Sequence, residues 1–238
     1  MVLAILQARM SSRRYPGKVM APLLGEPMIL HQLRRIQRAK EIDQIIVATS
    51  DKPSDDVLAD FCQKSQITLF RGSLHDVLDR FYKAALFHNG KTIIRLTADC
   101  PLIEPQIIDA VTVHHKTNEY DYTSNIQKRS FPDGLDVEVF DFRALKKAWN
   151  EAFAPQDREH VTPYLRRGNF RTGHYVEKPD LSKHRWTVDY PGDLNFVRMI
   201  YEALYPTQPA FTMTDVLSFI EKNDCARMQH SSSPHNPP

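Results

Sequence analysis

Ala4-Ile-Leu-Gln-Ala-Arg9-Met-Ser-Ser-Arg-Arg14-Tyr-Pro-Gly-Lys18 closes an apolar run, Val2–Leu6, with a short loop carrying four cations, Arg9, Arg13, Arg14 and Lys18. The run reads as a first β-strand, and a basic loop at its carboxyl end points to an α/β sheet, where ligands bind in the crevice outside the strand ends. Guanidinium forks and an ammonium placed there suit a polyanion, and a nucleoside triphosphate fits. Pro16-Gly17 forces a turn and lets the backbone approach a ligand closely, so Arg9, Ser12, Arg14 and Lys18 can converge. The loop is neither G-x-x-x-x-G-K-[ST] nor G-x-G-x-x-G, so side chains must bring the charge that backbone amides bring in those motifs. From spacing alone, a solvated basic loop or a nucleic-acid contact stays open.

Downstream, the chain alternates in the β–α–β manner of a mainly parallel sheet. Ile45–Ala48, Ile67–Phe70 and Thr92–Leu96 read as strands, short and apolar on both faces as buried parallel strands are. Between them run helical stripes: Ile29, Leu30, Leu33 and Ile36, with Arg34, Arg35 and Arg38 on the solvated side; Val57, Leu58 and Phe61; and Val77, Leu78, Phe81 and Ala85. Phe81, Phe87 and Phe196 fall on apolar helix faces and are expected in the core. From Tyr120 the pattern changes to β segments in DYTSNI, GLDVEVF and RTGHYVEK, with helices at Phe142–Phe153 and from Pro155. Two last helices span Leu194–Leu204 and Met213–Lys222, where Asp193 and Thr212 or Thr214 can cap the starts.

Composition sets the class. With 238 residues, 42% of them hydrophobic and 25% charged, the chain reads as one soluble α/β domain over residues 1–225, with a polar, proline-rich tail at 226–238 expected to be disordered. A net charge of +2 argues for local rather than global positive charge and against a nucleic-acid partner. Eight glycines are about half the usual share of roughly 7%, which disfavours Gly-rich phosphate cradles. Cys62, Cys100 and Cys225 form neither a disulfide framework nor a zinc spacing, and the ten histidines, His114-His115 and His230 with His235 among them, contain no H-E-x-x-H. No apolar stretch approaches a membrane span or a signal peptide. A cytoplasmic protein in a reducing compartment is the expectation, with no membrane partner.

Two aspartates suit a divalent cation. Asp99 follows the Thr92–Leu96 strand and Asp189 follows Trp186–Val188, so both are expected at strand ends beside the basic loop; Mg²⁺ takes one or two carboxylates plus phosphate oxygens and waters. Read as isolated residues, both fit an ordinary turn or cap position better than a metal ligand.

The order Arg9-x-x-Ser12-x-Arg14-x-Pro16-Gly17-Lys18 after AILQA resembles the signature of the sugar-acid cytidylyltransferases, the CMP-Kdo and CMP-sialate synthetases, and most closely their spore-coat-polysaccharide-biosynthesis-like branch. RGSLHDVLDRFYKAA (Arg71–Ala85), IIRLTADCPLIEP (Ile93–Pro105), FPDGLDVEVF (Phe131–Phe140), REHVTPYLRR (Arg158–Arg167) and RWTVDYPGDLNFV (Arg185–Val197) follow in that branch's order. The resemblance covers the chain from the first strand to about Glu221. It implies a Rossmann-like nucleotidyltransferase fold of the GT-A kind: three layers, a mainly parallel central sheet and a smaller β-rich acceptor-side extension. It implies transfer of CMP from CTP to the anomeric hydroxyl of a 2-keto-3-deoxy sugar acid with release of pyrophosphate, a Mg²⁺ cofactor on Asp99 and Asp189, and catalytic roles for these two and for Lys18 and Arg14. It also places Gln7, Ala8, Arg9, Ser12, Gly17, Arg71 and Thr97 beside the nucleotide, with Arg13 facing solvent and Asp193 the later acid of its motif, a helix cap first.

Where CMP-Kdo synthetases carry Asn-x-Gln-Gly-Asp, this chain has Arg95-Leu96-Thr97-Ala98-Asp99, so triphosphate binding is better supported than cytosine selectivity. For the acceptor, Asp133, Asp136 and Glu138 with Arg158, Glu159 and His160 offer hydroxyl acceptors and a carboxylate clamp, or else are turn and cap residues. A sugar phosphate or polyol phosphate acceptor stays open, with Arg129, Arg158, Arg166, Arg167 and Arg185 as cations for it. So do a non-enzymatic sugar-nucleotide- or RNA-binding role and a homodimer.

Overall fold

The computed structural model describes residues 1–223. The tail from residue 226, Cys225, His230 and His235 lie outside them. The first half is β1 (Val2–Gln7), β2 (Pro22–Leu23), β3 (Glu26–Pro27), α1 (Met28–Ile36), β4 (Gln44–Ser50), α2 (Asp56–Lys64), β5 (Leu69–Gly72), α3 (Val77–Phe87), β6 (Thr92–Thr97) and α4 (Pro105–Thr117). Then come β7 (Tyr122–Ser124), β8 (Glu138–Asp141), α5 (Phe142–Glu151), α6 (Pro155–His160), α7 (Pro163–Arg167), β9 (Thr172–His174), α8 (Pro191–Leu204) and α9 (Met213–Lys222).

The seven-stranded sheet has the order β5-β4-β1-β6-β8-β7-β9. All neighbours run parallel except β8, which is antiparallel to both β6 and β7. The sheet is thus mostly parallel, and it sits between helices on both faces. Strand alternation divides the core. Ala4 and Leu6 of β1 pack with α1, α2, α4, α8 and α9, while Leu3 and Ile5 pack with α3, α5 and α7. Each face of β1 is therefore buried, as its unbroken apolar run requires.

Register decides where chemistry gathers. Gln7 lies opposite Ala48 on one side and Thr97 on the other, so the carboxyl ends of β1, β4 and β6 finish together. The short Pro22–Leu23 and Glu26–Pro27 pair returns the chain from the basic loop into α1.

Some side chains lie elsewhere than periodicity placed them. Arg35 is 3% exposed rather than solvated; its Nε donates to the Ile103 carbonyl at 2.7 Å and Nη2 to that of Phe211 at 3.1 Å, stitching α1 to distant loops. Val57 and Phe87 are exposed while Leu58, Cys62, Phe81 and Phe196 are buried: the apolar stripe of α2 is rotated by one residue, and Phe87 closes the last turn of α3. Trp186–Val188 is not a sheet strand. The stretch is held by an isolated bridge between Asp133 and Arg185 and by the Val188 N–H on the Asp99 carbonyl at 2.8 Å.

Gly134 makes that arrangement possible. Its φ is +110°, and a Cβ there would lie 2.8 Å from the Trp186 carbonyl carbon. Gly134→Ala is expected to lower stability by about 1–3 kcal/mol through strain and the clash, read as a fall in the urea midpoint; an unchanged midpoint would show that the 133–136 turn is not needed to seat residues 184–189.

Candidate active site

The basic loop is a folded ring. The Met10 carbonyl accepts from both the Ser12 N–H, at 3.0 Å, and the Gly17 N–H, at 2.8 Å, and Gly17 has φ of 75°, which suits a residue without Cβ. From outside, the buried Asp55 carboxylate accepts from the Met10 N–H at 2.6 Å and the Ser50 N–H at 3.2 Å, tying the loop to the end of β4. The Ser12 hydroxyl accepts the Tyr15 N–H at 3.4 Å, a turn contact inside the ring.

Lys18 opens a short 3₁₀ turn after Gly17 and sends its ammonium inward. Nζ donates to the Val188 carbonyl at 2.7 Å, to Asp99 Oδ2 at 3.1 Å and to Asp189 Oδ1 at 3.1 Å. Burial works against the charge, but the two carboxylates outweigh it and hold the pKa of Lys18 above its ordinary value. Asp99 is moved the other way: burial alone would raise its pKa, yet Lys18 and hydrogen bonds from its neighbours keep it below the usual carboxylate range. Asp189 is further gripped by Arg14 Nη2 at 2.8 Å and Arg185 Nη2 at 2.7 Å. Asp193 stands behind it at the start of α8, accepting from the Asp189 and Tyr190 N–H groups at 2.8 Å each, the capping geometry.

Arg14, Lys18, Asp99 and Asp189 line one pocket of about 300 Å³, together with Gln7, Ala8, Arg9, Ser12, Arg13, Val19, Thr97, Ala98 and Glu159. Among the described residues no three His, Cys, Asp or Glu side chains form a metal cluster; Asp99 and Asp189 are the two carboxylates joined by Lys18.

The basic loop at a strand end thus converges on two carboxylates from remote segments, and the cytidylyltransferase family profile matches residues 3–222. The chain belongs to the cytidylyltransferase family. The spore coat polysaccharide biosynthesis protein SpsF of Bacillus subtilis is 31% identical over 97% of this chain and 98% of its own length. An uncharacterized protein of Methanocaldococcus jannaschii, MJ1063, is 40% identical over 79% of this chain and 78% of its own. A solved cytidylyltransferase from Leptospira borgpetersenii superposes with a TM-score of 0.90 at 29% identity, covering 99% of both chains. This cytidylyltransferase is accordingly a CTP-using nucleotidyltransferase with a Rossmann-like fold.

Within the cytidylyltransferase pocket, Arg13 is exposed, as expected, and also borders the cavity beside Arg14. Arg71, expected beside the nucleotide, is outside the lining; Nε donates to the Ser50 carbonyl at 2.9 Å and Nη2 to Asp56 at 2.7 Å, fastening β5 to the start of α2. Glu138, expected toward the acceptor, is 2% exposed and is held by Arg95, by Arg166 at 2.7 Å and by the Tyr122 hydroxyl at 2.6 Å. Although burial would raise its pKa, the two guanidinium groups bring it down to about 2.

Arg158 faces away as well, donating to Asp76 at 2.6 Å and to the Trp149 carbonyl at 2.8 Å, so it ties α5 to the start of α3. His160 is exposed and outside the lining, whereas its neighbour Glu159 faces the cavity. Consecutive residues of α6 point to different sides of the helix, which ends directly after them: Val161 has φ of 69°, and the Thr162 N–H reaches back to the His160 carbonyl at 2.8 Å, a strained γ-turn.

Asp133 and Asp136 are outside the lining; Asp133 is bridged to Arg185, whose guanidinium holds Asp189. Arg129 takes Asp136 bidentately at 2.6 and 3.1 Å and lies 3.5 Å from Asp133. Burial first, then Asp136, raises the pKa of Asp133, with Asp99 adding to the effect. Sequence reasoning missed Asp55 and the Val188 carbonyl, whose roles come from contacts across the sheet. No helix among the described residues is long and apolar enough to cross a membrane.

Proposed function

We propose that this cytidylyltransferase transfers CMP from CTP to the anomeric hydroxyl of a 2-keto-3-deoxy sugar acid during surface polysaccharide assembly, releasing pyrophosphate. The observation that carries the reading is the meeting of Lys18 and Arg14 with Asp99 and Asp189 in one pocket at the ends of β1 and β6. The chain's own groups divide the work. Arg9, Arg13 and Arg14 line the cavity as donors for phosphate oxygens, and Arg14 with Lys18 takes up charge growing on the departing pyrophosphate. Lys18 stays cationic through the neutral range because its carboxylate neighbours outweigh its burial.

The donor set suits Mg²⁺, which is commonly held by one or two carboxylates and substrate phosphates. Asp99 and Asp189 would hold it. When bound it supplies Lewis-acid polarisation of the α-phosphate and favours loss of the proton from the attacking hydroxyl. No nucleophilic Ser or Cys is required; burial and Asp99 push the Cys100 thiol well above its ordinary pKa, so it stays protonated.

For the acceptor, Asp133, Asp136 and Glu159 offer hydrogen-bond acceptors to sugar hydroxyls. A sugar phosphate or polyol phosphate would call on cations in the second half of the chain. Arg129, Arg158, Arg166, Arg167 and Arg185 each already face a carboxylate, which favours the less charged sugar acid. Pyrophosphate release with each of the four NTPs against a panel of sugar acids and sugar phosphates tests the reading. The expected result is turnover with CTP and a 2-keto-3-deoxy sugar acid; release with sugar phosphates alone would overturn the acceptor assignment.

A further inference from the structure

The contacts of Lys18 carry a consequence for how a cation reaches Asp99 and Asp189, and the inference rests on the proposed metal role of that pair. An ammonium has three N–H donors. All three have an acceptor here: the Val188 carbonyl and one oxygen from each aspartate. The side chain is 9% exposed, so the aspartates are bridged by an internal cation rather than by solvent. A divalent ion bonded to the same carboxylates at about 2.0–2.1 Å would occupy the space the ammonium borders. Two cations within about 4 Å of one another in a partly dehydrated site repel strongly. Lys18 and a metal therefore compete for one position.

We propose that Lys18 is a built-in counter-ion that closes the Asp99–Asp189 pair to free divalent metal, so that the cation enters only together with a triphosphate, whose oxygens draw the ammonium off the carboxylates. The loop is built for such an exchange. Lys18 follows Gly17 on a short turn anchored at Met10, so the long side chain can swing while the ring stays fixed, and Arg185 continues to hold the other oxygen of Asp189. Nucleotide and metal then bind with positive coupling, each favouring the state the other needs.

Mn²⁺ is the probe, its free concentration read by electron paramagnetic resonance and its effect on the protein read by thermal melting. Wild-type protein without nucleotide is expected to bind Mn²⁺ weakly and to melt at the same temperature with or without it. A non-hydrolysable CTP analogue should tighten Mn²⁺ binding by about tenfold or more. Lys18→Met, which keeps the stem's volume, should melt lower in EDTA, bind Mn²⁺ without nucleotide and be restabilised by it; Lys18→Met with Asp99→Asn should lose that binding. Tight Mn²⁺ binding by nucleotide-free wild-type protein, or the same affinity with and without the analogue, would overturn the proposal, and this arm needs no variant to fold. Such a failure is separable from failure of the proposed function, which is read by pyrophosphate release from wild-type protein with CTP and Mg²⁺.

Discussion

Asp99→Asn and Asp189→Asn are each expected to lower kcat for CMP transfer on the order of 10²–10³-fold or more, the scale of losing one aligned electrostatic group at a reacting centre. Folding should survive both changes, because Lys18 keeps the other aspartate and the Val188 carbonyl as partners, and Asp193 continues to cap α8. The double variant should be little worse than either single one: two side chains that hold one ion act as a unit, and losing either misplaces the reacting groups. Steady-state kinetics with matched thermal melts separate this from a structural role. Small, additive losses of stability with near-parental turnover would mean that the aspartates only balance Lys18, Arg14 and Arg185.

The second large effect concerns stability. Glu138→Gln is expected to destabilise the protein by about 3–5 kcal/mol, because it leaves Arg95 and Arg166 facing a neutral partner in the interior. The pH dependence has a definite sign. The folded-state pKa of Glu138, about 2, lies below the roughly 4.3 of an unperturbed glutamate, so the unfolded chain binds more protons. Stability from this network is complete above about pH 4.3 and is lost as pH falls toward 2. Urea midpoints measured across that window should fall steeply for the wild type and more shallowly for the variant. At a temperature where the variant is folded, KM for the acceptor should be unchanged; a raised KM with intact stability would make Glu138 a substrate contact instead.

The parts of this molecule that were legible in its sequence are those fixed by local rules. Helix α9 spans Met213–Lys222 as its periodicity predicts, and Thr212 caps it through Asp215. The run Val2–Leu6 and the basic loop after it predict a strand end facing a ligand, and Arg9, Ser12, Arg14 and Lys18 do line one pocket. What escaped depends on long-range register. Glu138 looks like a polar residue on an alternating strand, but β8 pairs antiparallel with β6 and sets it opposite Arg95, so its polarity serves an internal ion pair. Arg35 looks solvated until the carbonyls of Ile103 and Phe211 arrive from far along the chain. Asp189 reaches its place at the end of an irregular stretch seated on Gly134 and Asp99 rather than at the end of a strand.

The most direct test of the account is a crystal structure with Mg²⁺ and a non-hydrolysable CTP analogue. The account predicts the triphosphate along Arg9–Lys18, Lys18 Nζ moved from the aspartates to phosphate oxygens, and an ion about 2.0–2.1 Å from carboxylate oxygens of Asp99 and Asp189, directly or through a bound water. A triphosphate bound elsewhere, or an ordered nucleotide with Lys18 still bridging the two aspartates and no metal between them, would contradict it.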